Sequence, residues 1–263
     1  MLLAMREHVV VTRRNFLKEA SVLAAPLLVA SVAPPLTAAA TGASRQLKLV
    51  WVGAHPDDPE SGCAGRLSRY AELGHSVTLV YLTRGERGIQ DKGLDEAGKT
   101  RTTECEKACR VMGSHPRFFG QIDGATELTR AHVEAMTMVL TEEQPEAVFT
   151  HWPVDTHMDH QVASILAIRA SMALGERPHL YFFEVNTGSQ TQGFLPNTYV
   201  DVTSVLEKKK TALFAHVSQA GEGIWREHHE IIDKWRGREA GVAAAEAFVH
   251  LNRDSEINKL PGG

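Results

Sequence analysis

The sequence of 263 residues is poor in cysteine and has no long run of like charge. Its three cysteines are too few for a disulfide scaffold, and they match no CxxC zinc pattern. We therefore interpret them as small buried hydrophobic side chains. Lysines and arginines number 28 against 32 aspartates and glutamates, which gives a net charge of −4. No nucleic-acid partner is expected of such a composition.

The uncharged apolar run at residues 20–33 is too short to cross a bilayer as a helix. It follows Arg13 and Arg14 and precedes small residues at 38–40, an order typical of a secretory signal. The paired arginines resemble a twin-arginine signal. An amphipathic first helix is the alternative, but the run is apolar on all faces, and two prolines at 34–35 break it.

We therefore predict that residues 1–40 are a twin-arginine-type signal peptide and that residues 41–263 form the mature domain. The resemblance makes the twin-arginine export machinery an expected partner. The expected location is outside the cytoplasm, either periplasmic or extracellular. No stable membrane span is expected in the mature chain.

From residue 47 onward, short apolar runs alternate with segments of helical periodicity, which predicts βαβ units. No internal repeat or low-complexity linker interrupts the pattern, so the expected fold is a single-domain α/β, Rossmann-like three-layer sandwich with a mostly parallel sheet. Residues 85–98 lack periodicity and are predicted to be a loop above the sheet. Strands are predicted at 47–52, 77–82, 117–119, 147–150, 179–184 and, at an edge, 198–202, and helices at 60–73, 101–112, 130–143, 160–174, 204–216 and 225–251.

Two predicted strands are followed by unusually dense histidine and carboxylate residues. The first is followed by Gly-Ala-His-Pro-Asp-Asp-Pro-Glu at 53–60, which contains no GxGxxG dinucleotide fingerprint. The second is followed by His-Trp-Pro-Val-Asp-Thr-His-Met-Asp-His at 151–160. Ligands of open α/β sheets bind beyond the carboxyl ends of the strands, so both segments are expected at one crevice.

Histidines and carboxylates from two strand ends indicate a divalent metal ion. Zinc in catalytic sites takes three such ligands and lowers the pKa of a bound water to about 7. The adjacent side chains of Asp57 and Asp58 diverge on an extended turn, so one can bind the metal while the other faces the water. Taken singly, Asp58 also fits a helix cap before Pro59, and His157 and His160 also fit loop or surface histidines.

The HPDD segment, together with the later HxDH, resembles the PIG-L/LmbE-like deacetylase family over residues 47–250. This family removes the acetyl group from N-acetylglucosamine-type substrates with zinc. The resemblance implies that His55, Asp58 and His160 are the zinc ligands. It also implies that Asp57 is the general base that activates the zinc-bound water.

Further roles are implied by the same resemblance. His157 matches a histidine that steadies the oxyanion or protonates the leaving amine, and Asp159 matches the acid that orients its partner histidine. Arg101 matches an arginine that holds a substrate hydroxyl or phosphate, and Asp123 matches an acceptor for a sugar hydroxyl. Arg84 belongs to a characteristic loop and is assigned to substrate binding.

The sequence departs from the family pattern in two places. Pro59 separates Glu60 from the HPDD segment, whereas the commoner form is HPDDE. An aromatic residue near the second motif is replaced by Val154 or Asp155. Outside the motifs, His216 matches no ligand pattern, with a rim contact as the alternative, and residues 228–230 are interpreted as an exposed helix face.

These observations predict an exported, zinc-dependent hydrolase that removes an acetyl group from an N-acetylated sugar or glycoconjugate. Ferrous iron is the alternative ion. One competing hypothesis is a non-haem iron enzyme with a two-histidine, one-carboxylate triad, although such enzymes are mostly all-β. Another is a sugar-binding protein that has lost catalysis. The substrate itself stays open, because its specificity resides in loops such as 85–98 and 186–196.

Overall fold

The computed structural model describes residues 45–251, and the predicted export signal lies outside this range. The described chain alternates strands and helices, as predicted. Seven strands are formed by Lys48–Gly53 (β1), Ser76–Tyr81 (β2), His115–Phe118 (β3), Ala147–His151 (β4), His179–Phe183 (β5), Thr198–Asp201 (β6) and Ala245–His250 (β7). The α-helices are Asp58–Glu72 (α1), Leu94–Met112 (α2), Arg130–Glu143 (α3), Met158–Ala173 (α4), Leu206–Phe214 (α5), Gly221–Ile224 (α6) and Glu230–Ala240 (α7).

The strands form one seven-stranded sheet in the order β3-β2-β1-β4-β5-β7-β6. The first five of these are parallel neighbours, and β7 runs antiparallel to both β5 and β6. In the register of the central strands, Val50 is paired with Thr78 on one side and Val148 on the other. The predicted α/β class with a mostly parallel sheet is confirmed.

Alternate residues of β1 enter the two separate cores on either face of the sheet, as the period of two in a strand requires. Leu49 and Trp51 pack with side chains from α1, α2 and α5. Val50 and Val52 pack with side chains from α3 and α4. All three cysteines are buried and free, in agreement with the sequence-based interpretation.

The path of the chain around β1 determines where the two histidine-rich segments lie. The chain runs from β1 outward to β2 and β3, and then returns to place β4 on the opposite side of β1. Connections leaving β1 and β4 therefore diverge to opposite faces, which opens a crevice at the carboxyl ends of these two strands. Both histidine-rich segments begin there.

Two predicted elements were wrong. The helix predicted over 225–251 ends at Ala240, where Gly241 adopts a left-handed conformation with φ of +77°, and β7 follows. The alanine-rich sequence around β7 favoured a helix, but pairing with β5 and β6 decides its structure. Helix α2 begins at Leu94 and therefore includes part of the predicted loop. Its first turn is exposed and held by i,i+4 ion pairs, so it lacks an apolar period.

Within residues 45–251, none of the helices combines the length and the hydrophobicity needed to cross a membrane.

Candidate active site

The first histidine-rich segment forms a tight turn between β1 and α1. Asp57 precedes the helix with φ of +115°, an unfavourable backbone conformation for a residue with a Cβ. Its N–H donates to Glu60 Oε2 at 3.1 Å, and its carbonyl accepts from Ser61 N at 2.8 Å. Gly53 permits the turn, because a Cβ at that position would lie 2.9 Å from the ring of Pro59. The turn therefore presents Asp57 and Asp58 in divergent directions.

The second segment passes from β4 into α4. His157 caps the helix, with its ring Nδ1 accepting the N–H of Asp159 at 3.2 Å. Asp159 and His160 occupy the first turn and are fully buried. This capping arrangement aims the two residues back toward the end of β1.

The structure brings together the three residues predicted to bind metal. Their ligand atoms lie within 4.8 Å of one another. Asp58 is central, with Oδ2 at 3.3 Å from His55 Nδ1 and Oδ1 at 3.3 Å from His160 Nε2. Two imidazoles and one carboxylate match the donor set of catalytic zinc sites.

The other ring nitrogen of each histidine faces a supporting carboxylate. His55 Nε2 lies 3.1 Å from Asp159 Oδ2 and 3.2 Å from Asp123 Oδ1. His160 Nδ1 lies 3.2 Å from Asp155 Oδ1. Such partners fix the ring orientation and tautomer of metal-ligating histidines. The donor set and its surroundings therefore fit a divalent metal ion held by His55, Asp58 and His160.

Asp159 is rigidly held. Its carboxylate accepts from Gly124 N at 2.7 Å and from the Thr126 hydroxyl at 2.6 Å. Although burial alone would raise the pKa of Asp159, these bonds and His55 hold it well below its usual range. The histidine that this carboxylate orients is His55, whereas the His157 ring receives only the backbone N–H of Asp159.

The role of Asp155 was not found from the sequence. Its Oδ2 accepts the hydroxyl of Thr191 at 2.9 Å, and its Oδ1 accepts the N–H of His157 at 2.8 Å. The sequence placed Asp155 among the carboxylates of the second segment and as a replacement for an aromatic residue, but it did not predict the contact with His160. The available signal in the sequence was the position of Asp155 two residues before His157. A carboxylate at that position faces back to His160 and can support its ring.

Asp57 lies on the wall of the cavity above this group. Its side chain is 15% exposed, and its Oδ2 accepts from Arg101 Nη2 at 3.0 Å. Burial raises the pKa of Asp57 to about 6, with the charge of Arg101 opposing the rise. A carboxyl with such a pKa can exchange a proton near neutral pH.

Arg101 was assigned to substrate contact, but its guanidinium is bound within the protein. The side chain is 3% exposed and donates to the carbonyls of Pro56 and Gly85 as well as to Asp57. A Cβ on Gly85 would collide with this guanidinium. Arg101 therefore fixes the turn that carries Asp57.

The remaining predicted substrate residues are placed differently. Arg84 donates through Nε to Glu86 at 3.1 Å and does not contribute to the cavity wall. Asp123 does line the cavity, but its Oδ1 faces His55 and its Oδ2 accepts from Arg87 N at 3.0 Å. Asp123 thus supports His55, a histidine predicted to bind the metal.

Four further histidines are buried, namely His151, His216, His229 and, at the end of β7, His250. His151 ends β4, with Nε2 at 3.3 Å from Asp58 Oδ2, and burial lowers its pKa to about 4. His216 lies beneath the surface, 3.2 Å from Glu60 Oε1, so the alternative of a rim contact was wrong. His229 also points inward and contacts Asn186, so the 228–230 cluster is not uniformly exposed.

The cavity has a volume of about 460 Å³ and a mainly polar wall. Thr156 N donates to Gln190 O at 3.1 Å, so the second motif is tied to the 186–192 loop. The lining consists of His55, Asp57, Asp58, Ser61, Arg87, Gly88, Arg101, Asp123, Gly124, His157, His160, Val185, Asn186, Gln190, Gln219 and Ile224.

Comparison with known proteins agrees with this arrangement. Residues 50–171 match the profile of the PIG-L family, described as GlcNAc-PI de-N-acetylase. Diacetylchitobiose deacetylase from Thermococcus kodakarensis is 29% identical over 195 residues, which cover 68% of this chain and 72% of the relative. A 4-oxalmesaconate hydratase from Pseudomonas putida is 28% identical over 222 residues, which cover 76% of this chain and 84% of the relative.

A solved structure shares the fold. N,N'-diacetylchitobiose deacetylase from Pyrococcus horikoshii superposes with a TM-score of 0.69 at 24% identity, covering 78% of this chain and 84% of the other. The matched family region begins within β1 and ends within α4, so it contains both histidine-rich segments.

Proposed function

We propose that this chain, whose residues 50–171 match the PIG-L profile, is a metal-dependent hydrolase of that family that removes an acetyl group from an N-acetylated sugar or glycoconjugate. One observation carries the proposal. The ends of β1 and β4 bring His55, Asp58 and His160 within ligand distance of one another, with Asp57 beside them on the cavity wall.

The proposed ion is zinc, with ferrous iron as the alternative. When bound to His55, Asp58 and His160, such an ion supplies Lewis acidity and makes water a better nucleophile at neutral pH. Nitrogen and carboxylate ligands suit zinc, and the supporting carboxylates of Asp159 and Asp155 keep both imidazoles oriented.

Asp57 is the proposed general base. Arg101 donates to its Oδ2, and the other carboxylate oxygen, Oδ1, takes no part in that ion pair. Oδ1 can therefore accept a proton from the water that attacks the acetyl carbonyl. The raised pKa of about 6 lets the same carboxyl return this proton to the amine nitrogen as the C–N bond breaks.

His157 is the proposed donor to the developing oxyanion. Its Nδ1 accepts a backbone N–H, which places the proton of the neutral ring on Nε2. Burial and the neighbouring His55 lower the pKa of His157, so the neutral ring is favoured at neutral pH. An N–H held in this way stabilises negative charge on the carbonyl oxygen without reorganisation.

The cavity wall supports an N-acetylated sugar as the substrate class. Asn186, Gln190 and Gln219 supply neutral amide groups that match sugar hydroxyls as donors and acceptors. Relatives named as deacetylases of diacetylchitobiose and of an inositol glycoside support the same chemistry. The products are acetate and a free amine.

Export is part of the proposal. The order of Arg13, Arg14 and an apolar segment supports a twin-arginine signal over residues 1–40. The substrate is then met in the periplasm or outside the cell, where envelope glycoconjugates are available.

The test is acetate release from a panel of N-acetylated sugars and glycosides by the purified chain from residue 41. Release that a chelator abolishes and stoichiometric zinc restores supports the proposal. Saturable sugar binding without acetate release, with zinc bound, would instead indicate a non-catalytic sugar-binding protein. Activity that requires oxygen and ferrous iron would indicate the iron-enzyme hypothesis.

The similarity to a 4-oxalmesaconate hydratase favours a second candidate, because 84% of that enzyme is covered. Activated water is common to hydration and to amide hydrolysis, so the same metal group can serve either reaction. 4-Oxalmesaconate is therefore included in the panel. Its consumption without acetate release from any amide would replace the deacetylase assignment with a hydratase.

A further inference from the structure

Arg87 reaches the cavity from the loop that follows β2. Its N–H donates to Asp123 Oδ2 at 3.0 Å, and its side-chain Nε donates to the carbonyl of Asp123 at 2.6 Å. These bonds fix the base of the guanidinium at the cavity wall, although the residue as a whole is exposed. The Cδ of Arg87 packs on Gly124, where an added Cβ would lie 3.1 Å away.

The outer end of this guanidinium is available. Neither Nη1 nor Nη2 of Arg87 has a partner within the part of the chain that the structure describes. The other arginine of the cavity, Arg101, is buried and binds Pro56, Gly85 and Asp57. Arg87 therefore carries the positive charge that the wall presents to a ligand.

Arg87 is also close to the metal-binding group. Asp123 joins the two, because its Oδ2 accepts from Arg87 N while its Oδ1 lies 3.2 Å from His55 Nε2. The Asp123 side chain therefore lies between Arg87 and His55, which is a predicted metal ligand. Asp123 and Asp159 are both engaged with His55, which reduces their repulsion of a nearby anion.

We propose that Arg87 forms an anion subsite, which binds a carboxylate or phosphate group of the substrate beside the acetamide. The inference rests on the proposed deacetylase function and refines its substrate class to anionic amino-sugar conjugates. The two terminal nitrogens of a guanidinium can donate side by side to one such group, and charge-assisted bonds of this kind are strong.

The test compares three substrates that differ only at the anomeric substituent: methyl N-acetylglucosaminide, N-acetylglucosamine 1-phosphate and carboxymethyl N-acetylglucosaminide. The wild-type enzyme is expected to prefer at least one anionic substrate by about tenfold in kcat/KM. Whichever anion is preferred identifies the group as phosphate or carboxylate. In Arg87→Met, the ratio of anionic to neutral kcat/KM should fall by about tenfold.

Arg110→Met is the matched control, because it removes an exposed arginine of α2 that does not line the cavity. The ratio should keep its wild-type value in this variant. Arg87→Lys should show an intermediate ratio, since lysine retains the charge but not the paired donors. A ratio that Arg87→Met leaves unchanged, or a wild-type enzyme without anionic preference, would overturn the subsite.

A binding measurement separates this proposal from the proposed function. Calorimetric titration with glucosamine 1-phosphate and methyl glucosaminide requires no turnover. If no substrate releases acetate but the phosphorylated amine binds about tenfold more weakly to Arg87→Met, the deacetylase assignment fails and the subsite stands. The opposite outcome is that acetate is released while Arg87→Met changes neither the ratio of anionic to neutral kcat/KM nor the relative affinity for the two amines. In that case the subsite fails and the deacetylase assignment stands.

Discussion

Glu60 Oε2 accepts the backbone N–H of Asp57 at 3.1 Å, so the proposed base is held by the third residue after it. The other oxygen of Glu60 accepts the Tyr81 hydroxyl at 2.7 Å and lies 3.2 Å from His216 Nε2. Glu60, Tyr81 and His216 are fully buried. A left-handed non-glycine residue costs about 1–3 kcal/mol, and this network offsets that cost at Asp57.

Glu60→Ala should lower kcat by about tenfold with little change in KM, because the Asp57 turn loses its anchor. Glu60→Gln retains an oxygen acceptor and should recover most of the activity. Metal content and thermal unfolding are measured alongside kinetics. If Glu60→Ala lowers only the unfolding temperature and leaves kcat intact, Glu60 serves stability and does not position Asp57.

The sequence was sufficient to predict that His55, Asp58 and His160 lie close together, for a reason that is visible in β1 and β4. Parallel neighbours end at the same rim, so any histidines and carboxylates that follow them must converge. The direction of Arg101 was not predictable, because it depends on the carbonyls of Pro56 and Gly85 in two separate loops. The structure of β7 was not predictable either, because its strand partners lie far away in sequence.

Asp57→Asn should retain the metal and lose turnover by about 10²–10⁴-fold, because asparagine cannot accept the proton of the attacking water. His160→Ala should lose the metal, because it removes one of the three proposed ligands. Metal content by elemental analysis and acetate release by coupled assay distinguish the two outcomes. Substantial turnover in Asp57→Asn would require a different base.

Thr191→Val should weaken metal affinity by about tenfold. The Thr191 hydroxyl holds Asp155, which in turn orients His160, and supporting partners of metal ligands have effects of this size. Valine preserves the side-chain volume while removing the donor. Competition with a chromogenic chelator measures the affinity, and kcat at saturating metal should stay close to wild type. Thr103→Val, on the exposed face of α2, is the control.

Replacement of Arg13 and Arg14 by lysine should retain the full-length chain inside the cell, because the paired arginines carry the proposed export signal. Cell fractionation followed by immunoblotting measures the distribution and any shortening of the chain. Arg6→Lys, outside the pair, should leave export intact. Efficient export of the double-lysine variant would show that the twin arginines are not required.

The pH dependence of stability should contain a contribution from His229, which is fully buried and contacts Asn186 through Nε2. Burial, with the nearby charges of Lys209 and His228, holds the pKa of His229 well below its usual 6.5. Below pH 6.5, the unfolded chain binds a proton at His229 and the folded chain does not. The free energy of unfolding therefore falls as the pH drops, by about 1.4 kcal/mol per unit from this group.

His229→Gln keeps a polar side chain opposite Asn186 but cannot titrate. Urea unfolding between pH 7.5 and 5, with chelator present for both proteins, should show a shallower loss of stability in the variant. The difference in slope should approach about 1.4 kcal/mol per pH unit below pH 6 and vanish above pH 7. Equal slopes would mean that His229 takes up its proton in the folded state. Its enclosed position opposes this, because no carboxylate among residues 45–251 contacts its ring.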